Sequence, residues 1–145
     1  MTSEITDVVS VLGGAKVLGR APKSPEELVT RVREGLPFSA LSIVVDQYGI
    51  SREVLCAVLH LSRRNLLRRK EQNRLSADES DRLYRLARVL AHANRVFREP
   101  EESAEWIQAP NPSLGKQQPL ALLDTDLGTQ QVDDVLGRIE HGIIG

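Results

Sequence analysis

A chain of 145 residues, 41% hydrophobic and 27% charged, has the make-up of one folded domain or of two small ones sharing a core. Aromatic residues are only 3% of it, so the core must rest on Leu, Val, Ile and Ala, which suits packed helices better than a β-sandwich. A single cysteine excludes an internal disulfide and a cysteine zinc cluster. There is no basic leader ahead of an apolar run, and no apolar stretch near the ~20 residues of a membrane span, so a cytoplasmic protein without membrane contact is expected.

The net charge of −1 conceals a block pattern. Residues 62–98 carry eleven Lys/Arg against four Asp/Glu, whereas residues 99–145 carry two against nine. Such an arrangement points to a polyanion-facing middle and an acidic end that meets something else.

In chain order, Ser3 is placed to cap a first helix over residues 4–12, which Gly13-Gly14 should break. Gly14 to Gly19 has the G-x-x-x-x-G spacing of a phosphate loop. Arg20-Ala21 follows, however, instead of Lys and a hydroxyl residue, and no strand precedes it, so a turn between helices is expected. Ser24-Pro25-Glu26-Glu27 is a helix start, with Leu28, Val29 and Val32 inward and an end near Gly35. Pro37 opens the next helix, whose stripe is Leu41, Val44, Val45 and Tyr48.

Ser51 to Arg74 reads as two short helices with a tight break between them. Ser51 caps the first, with Val54, Leu55 and Val58 at helical spacing; His60-Leu61 makes the turn; Ser62 caps the second. This is the pattern of a helix-turn-helix, whose second helix needs its N-terminal side chains free for base edges and apolar residues behind to seat it. Leu66 and Leu67 are the candidates for seating. Arg63, Arg64, Asn65 and Arg68 are candidates for base edges and Arg69, Lys70 and Arg74 for phosphates, with the cap Ser62 counted among the DNA-binding residues. His60 stands where such turns carry Gly. Cys56 lies four residues before it, but two ligands do not make a zinc site, and Cys56 reads as a small core residue.

Ser76-Ala77-Asp78-Glu79 is a capping box opening the longest helix, about residues 77–98, ended by Pro100. Its apolar stripe is Leu83, Leu86, Ala87, Leu90, Asn94 and Phe97; Arg82, Arg85 and Arg88 lie off it and either extend the phosphate-facing surface or are solvated. Beyond Pro100 come a short helix with Trp106 and Ile107, a Pro110-Asn111-Pro112 turn, and a last helix capped by Thr129 with Val132, Val135, Leu136 and Ile139 on one face. Asp124, Asp126, Asp133 and Asp134 match no ligand spacing and His141 has no nucleophile to activate, so no catalytic residue, metal or cofactor is expected.

The segment Ser51–Arg74, LSADESDRLYRLARV from Leu75, and then AEWIQAPNPSLG, PLALLDTDLG and VDDVLGRIEHG in that order, resemble the Xre/MbcA/ParS antitoxins of RES–Xre toxin–antitoxin systems. The resemblance covers nearly the whole chain, and the C-terminal motifs are its more specific part. It implies an all-α, dimer-forming protein with a Cro/Xre-like helix-turn-helix and dimerisation region in residues 1–98 and a small helical toxin-binding domain in residues 99–145. It implies two further partners: operator double-stranded DNA, through which the protein represses its own promoter, and a cognate RES-type toxin that degrades NAD or uses it for ADP-ribosylation.

The family's C-terminal motif falls on Trp106, Pro110, Asn111, Leu114, Gly115, Pro119, Leu120, Leu123, Asp124, Gly128, Gly137, Arg138 and Gly142. The implied toxin-binding set is Trp106, Leu120, Leu123, Asp124, Leu136, Arg138, Ile139, His141, Gly142, Ile143 and Ile144, with Arg138 to Ile144 expected to meet the toxin. Lys116 stands where the family often has a second Gly. The alternative reading is a helix-turn-helix transcriptional regulator with a dimerisation or ligand-binding module at its C-terminal end and no toxin.

Overall fold

The computed structural model describes residues 2–142, so Ile143 and Ile144 lie outside the described residues. The α-helices are α1 (Thr2–Val11), α2 (Gly14–Leu18), α3 (Pro25–Glu34), α4 (Phe38–Tyr48), α5 (Arg52–Leu59), α6 (Arg63–Gln72), α7 (Ala77–Phe97), α8 (Pro100–Gln108) and α9 (Asp126–Glu140). Two 3₁₀ helices, η1 (Pro112–Leu114) and η2 (Pro119–Asp124), join α8 to α9. The chain is all-α: among the described residues the only strand-like pairing is one bridge, Asn111 to Gln117.

Helix starts follow the side-chain caps. The hydroxyls of Ser24, Ser51 and Ser62 accept from the backbone N–H of Glu27, Val54 and Asn65 at 3.2, 3.2 and 3.1 Å. Ser76 and Glu79 close a reciprocal capping box, with Glu79 N to Ser76 Oγ at 3.1 Å and Ser76 N to Glu79 Oε1 at 2.8 Å. Each such cap is worth about 1 kcal/mol.

Where the structure departs from the sequence reading, tertiary packing gives the reason. Ser3 lies inside α1 and not ahead of it, and Gly14–Leu18 closes into a helix of its own, whose end is held by Arg31 donating to the carbonyls of Leu18 and Arg20. Val29 and Val54 face outward (46% and 41% exposed), since Leu28 on α3 and Leu55 with Val58 on α5 fill the inward positions. The long helix ends at Phe97 on a left-handed Arg98, and Pro100 serves as the first residue of α8. The cap of α9 is Thr125, four residues ahead of Thr129, and its hydroxyl accepts from Gly128 N at 2.9 Å. Gly128 permits this start, because a Cβ there would lie 2.0 Å from the Leu122 carbonyl oxygen.

The centre of the molecule is α7. Leu83, Leu86 and Leu90 are buried on it as expected, but so are Val89, Ala91 and Ala93, so its middle is wrapped on more than one side. The small alanines let neighbouring helices approach closely. α1 and α3 pack on α7 from the N-terminal half, and α8 and α9 from the C-terminal half. One hydrophobic cluster runs without interruption from Leu12 and Leu41 through Leu86 to Leu120, Leu123 and Leu136.

Candidate functional site

The α5–turn–α6 unit stands at the surface with its second helix almost unburied: no side chain of α6 is fully enclosed. Four contacts orient it. Leu66 packs on the core, and Arg69 Nε donates to Glu79 Oε1 at 2.7 Å. Asn73, left-handed at φ 50°, ends the helix while its Oδ1 accepts from Ser39 N at 3.2 Å. Arg74 Nη1 reaches the Glu34 carbonyl at 2.8 Å.

These anchors sort the candidate residues. Arg63, Arg64, Arg68 and Lys70 are exposed, Asn65 is half-buried, and Ser62 is occupied as the cap. Arg63 has a long, loose pair with Glu53 at 3.9 Å, both side chains about nine-tenths exposed, which holds neither in place. Arg69, expected at phosphates, is turned inward: it and Glu79 keep only 18% and 7% side-chain exposure. Leu67, expected to seat the helix, is 63% exposed. Of the three arginines on α7, Arg82 donates to the Leu59 carbonyl (3.4 Å) and Arg88 to Asp133 (3.1 Å), and Arg85 is 15% exposed beside Asp81. They brace the molecule and do not enlarge the basic face.

The turn is made by His60 at φ 55°, the left-handed conformation that usually calls for Gly. Its backbone N–H bonds Ala57 O, and Leu61 N bonds Cys56 O at 2.8 Å, closing the helix end. The imidazole supplies what glycine could not: Nε2 donates to the Asp124 carbonyl at 2.8 Å, tying the turn to η2. Lys116, the other departure from family glycine, is likewise left-handed at φ 68°.

The C-terminal helices form a second surface. Leu120, Leu123 and Leu136 are sealed in the core, where they hold the module together and cannot touch a partner. Trp106 is half-buried against Phe97, ring centroids 5.7 Å apart. Asp124 is half-buried and gives its carbonyl to His60, while His141 and Gly142 are exposed and Arg138 is half-buried. Ile139, expected inward, is 41% exposed, because Val132, Val135 and Leu136 occupy the packed side of α9.

One constellation escaped the sequence reading. His92 bridges Asp133 (Nδ1 to Oδ1, 3.4 Å) and Glu140 (Nε2 to Oε1, 3.1 Å), and with Arg88 clasps α9 to α7. Hydrogen bonding to Asp133, aided by Glu140, raises the His92 pKa above its ordinary value against the opposing effect of burial. The spacing of Arg88 and His92, one helical turn apart, was the available signal; which residues would face them was not. Among the described residues no group of three or more His, Cys, Asp or Glu could hold a metal, and no helix is long and apolar enough to cross a membrane.

Comparison with known proteins decides between the readings of the second surface. The family model for the Antitoxin Xre-like helix-turn-helix domain matches residues 27–88. That for the Antitoxin Xre/MbcA/ParS C-terminal toxin-binding domain matches residues 92–142. The chain belongs to the Xre/MbcA/ParS antitoxin family. An Antitoxin Xre of Photorhabdus laumondii is 30% identical over 89% of this chain and 88% of its own length. One of Yersinia enterocolitica is 32% identical over 75% and 86%. A Prs ADP-ribosylating antitoxin of a Sphingobium species is 27% identical over 88% and 85%. In this antitoxin the two matched segments meet inside α7, so a toxin-binding domain and a helix-turn-helix share one helix and one core. Its partner is therefore a cognate toxin protein.

Proposed function

We propose that this antitoxin represses its own promoter through α5–α6 and neutralises a RES-type toxin enzyme acting on NAD, as the family resemblance implies. The observation that carries the first half is the orientation of α6: its anchors turn Arg63, Arg64, Arg68 and Lys70 outward on one exposed helix. Arg63, Arg64, Asn65 and Arg68 read base edges; Lys70 binds phosphate, as does the exposed Arg74 through the nitrogens that do not hold the Glu34 carbonyl; Ser62 and Arg69 hold the helix in place. The second half draws support from the toxin-binding domain match and from the ADP-ribosylating antitoxin among the relatives. Residues 99–145 carry the toxin surface, with Arg138, Ile139, His141 and Gly142 at its exposed end, continuing into Ile143 and Ile144.

The protein acts on DNA as a homodimer. An apolar groove is lined by Ile5, Leu28, Val29, Val32 and Tyr84, and Arg33, Asp78 and Asp81 also line it. Two copies related by a two-fold axis can exchange these charges. Replacing Arg63, Arg64 and Arg68 together with Ala is expected to abolish gel shifts of the promoter DNA and leave toxin capture intact. Replacing Arg138 and Ile139 with Asp is expected to do the reverse, removing protection of cells that co-express the toxin. Unchanged shifts refute the first assignment, and unchanged protection refutes the second.

A further inference from the structure

Leu67 is 63% exposed in the middle of the helix whose neighbours are otherwise charged. Residues three and four apart adjoin on a helix surface, so its side chain borders Arg63 and Arg64 toward the N-terminus and Lys70 and Glu71 toward the C-terminus, with Arg68 next along the chain. All three arginines are exposed. Side chains on a helix lean toward its N-terminus, so Leu67 covers the turn that carries Arg63 and Arg64, the end a recognition helix presents to base edges. The inward positions of α6 are already filled by Leu66 and by the Arg69–Glu79 pair, so Leu67 has no seat within the chain. A leucine set among three arginines and Lys70, against the one acid Glu71, is complemented by a surface that is anionic around an apolar spot. The major groove is such a surface: phosphates line it, and the thymine C5-methyl is the apolar feature on its floor.

We propose that Leu67 is a specificity-determining residue that reads a thymine methyl group in the operator. This rests on the DNA-facing reading of α6 and adds to it a base and a contacting group. Arginines alone favour guanine; Leu67 adds a preference for a thymine adjoining the guanine positions.

The test uses the full-length protein and the DNA immediately upstream of its own reading frame, prepared once with thymine and once with uracil throughout. The two duplexes pair identically and differ in the methyl groups. Wild type is expected to bind the thymine duplex about fourfold more tightly per methyl contacted, the ~0.8 kcal/mol of one such group removed from water. Leu67→Ala, at an exposed position, should fold normally and bind both duplexes equally, and Leu67→Met should restore the preference. Equal binding of both duplexes by wild type overturns the proposal. So does a preference that survives in Leu67→Ala, since another residue then reads the methyl. A Leu67→Ala variant that loses dimer mass or toxin capture, with its thymine preference intact, assigns Leu67 to a protein interface instead. No binding of either duplex by wild type sinks the DNA-facing reading itself, a result distinct from the others.

Discussion

Arg69 offers the sharpest test of how α6 is held. Removing its side chain by Arg69→Ala strands Glu79, whose carboxylate keeps 7% exposure, with only the Ser76 N–H at 2.8 Å for a partner. Breaking a buried ion pair from one side costs roughly 3–5 kcal/mol. Arg69 retains 18% exposure, so water reaches one end of the pair, and the surviving cap bond offsets a little more. The expected loss is therefore about 2–3 kcal/mol, or roughly 4–12 °C in Tm for a chain of this size. Urea denaturation gives the stability, and promoter binding at several salt concentrations gives the function. Arg69→Ala should leave the salt slope of binding unchanged, whereas Lys70→Ala should reduce it by about 1, the signature of a lost phosphate contact.

The pH dependence follows from Glu79. Burial alone would raise its pKa, but hydrogen bonds from Arg69 and Ser76 together hold it below the ordinary 4.5. A depressed carboxylate stabilises the fold above its unfolded pKa and loses that contribution as pH falls through the folded value. The gap between wild type and Arg69→Ala should then narrow as pH falls from 4.5 through the lowered folded value. A variant within ~0.5 kcal/mol of wild type, with a salt slope as shallow as that of Lys70→Ala, would refute the reasoning and return Arg69 to the DNA surface.

The clasp on α9 predicts an opposite pH trend. The His92 pKa is raised, so its contribution is complete below the ordinary 6.5 and fades as pH rises through the folded value. Thermal melts from pH 5.5 to 8.5 should show wild type losing its advantage over His92→Gln as pH increases; a constant gap speaks against the clasp. Gly128→Ala puts a methyl group 2.0 Å from the Leu122 carbonyl oxygen and should cost more than about 3 kcal/mol, with toxin capture lost. Gly137→Ala meets nothing within 4 Å in the interior of α9 and should gain about 1 kcal/mol; equal urea midpoints for the two would contradict the packing described.

What could be read in the sequence was whatever local chemistry decides. The serine caps at residues 24, 51, 62 and 76 fixed four helix starts, because a cap and its N–H partner lie three residues apart. The left-handed turn at position 60 was likewise visible, though as an irregularity, since the use of the imidazole lies 64 residues away at Asp124. Long-range partners account for the misreadings. Arg69 looks like a phosphate ligand until Glu79 is placed beside it, and Arg88 is left open between the phosphate-facing surface and solvent until Asp133 is. Thr129 and Thr125 are equally good caps in isolation, and the structure uses Thr125, with Gly128 packed close against the Leu122 carbonyl. Leu66 and Leu67 cannot be ranked until the roll of α6 is known.

The sharing of α7 has a thermodynamic consequence. The two matched segments draw on one continuous core, so unfolding of either removes the other's support. Any partner that binds only the folded C-terminal module therefore stabilises the whole chain, by about 2.7 kcal/mol when present at 100 times its Kd. That increment reaches α6, which has no fully buried side chain of its own and sits at the weakly held edge of the fold. Freed of such a partner, the chain loses that increment as a whole, and its unfolded fraction, exposed to proteases, rises accordingly.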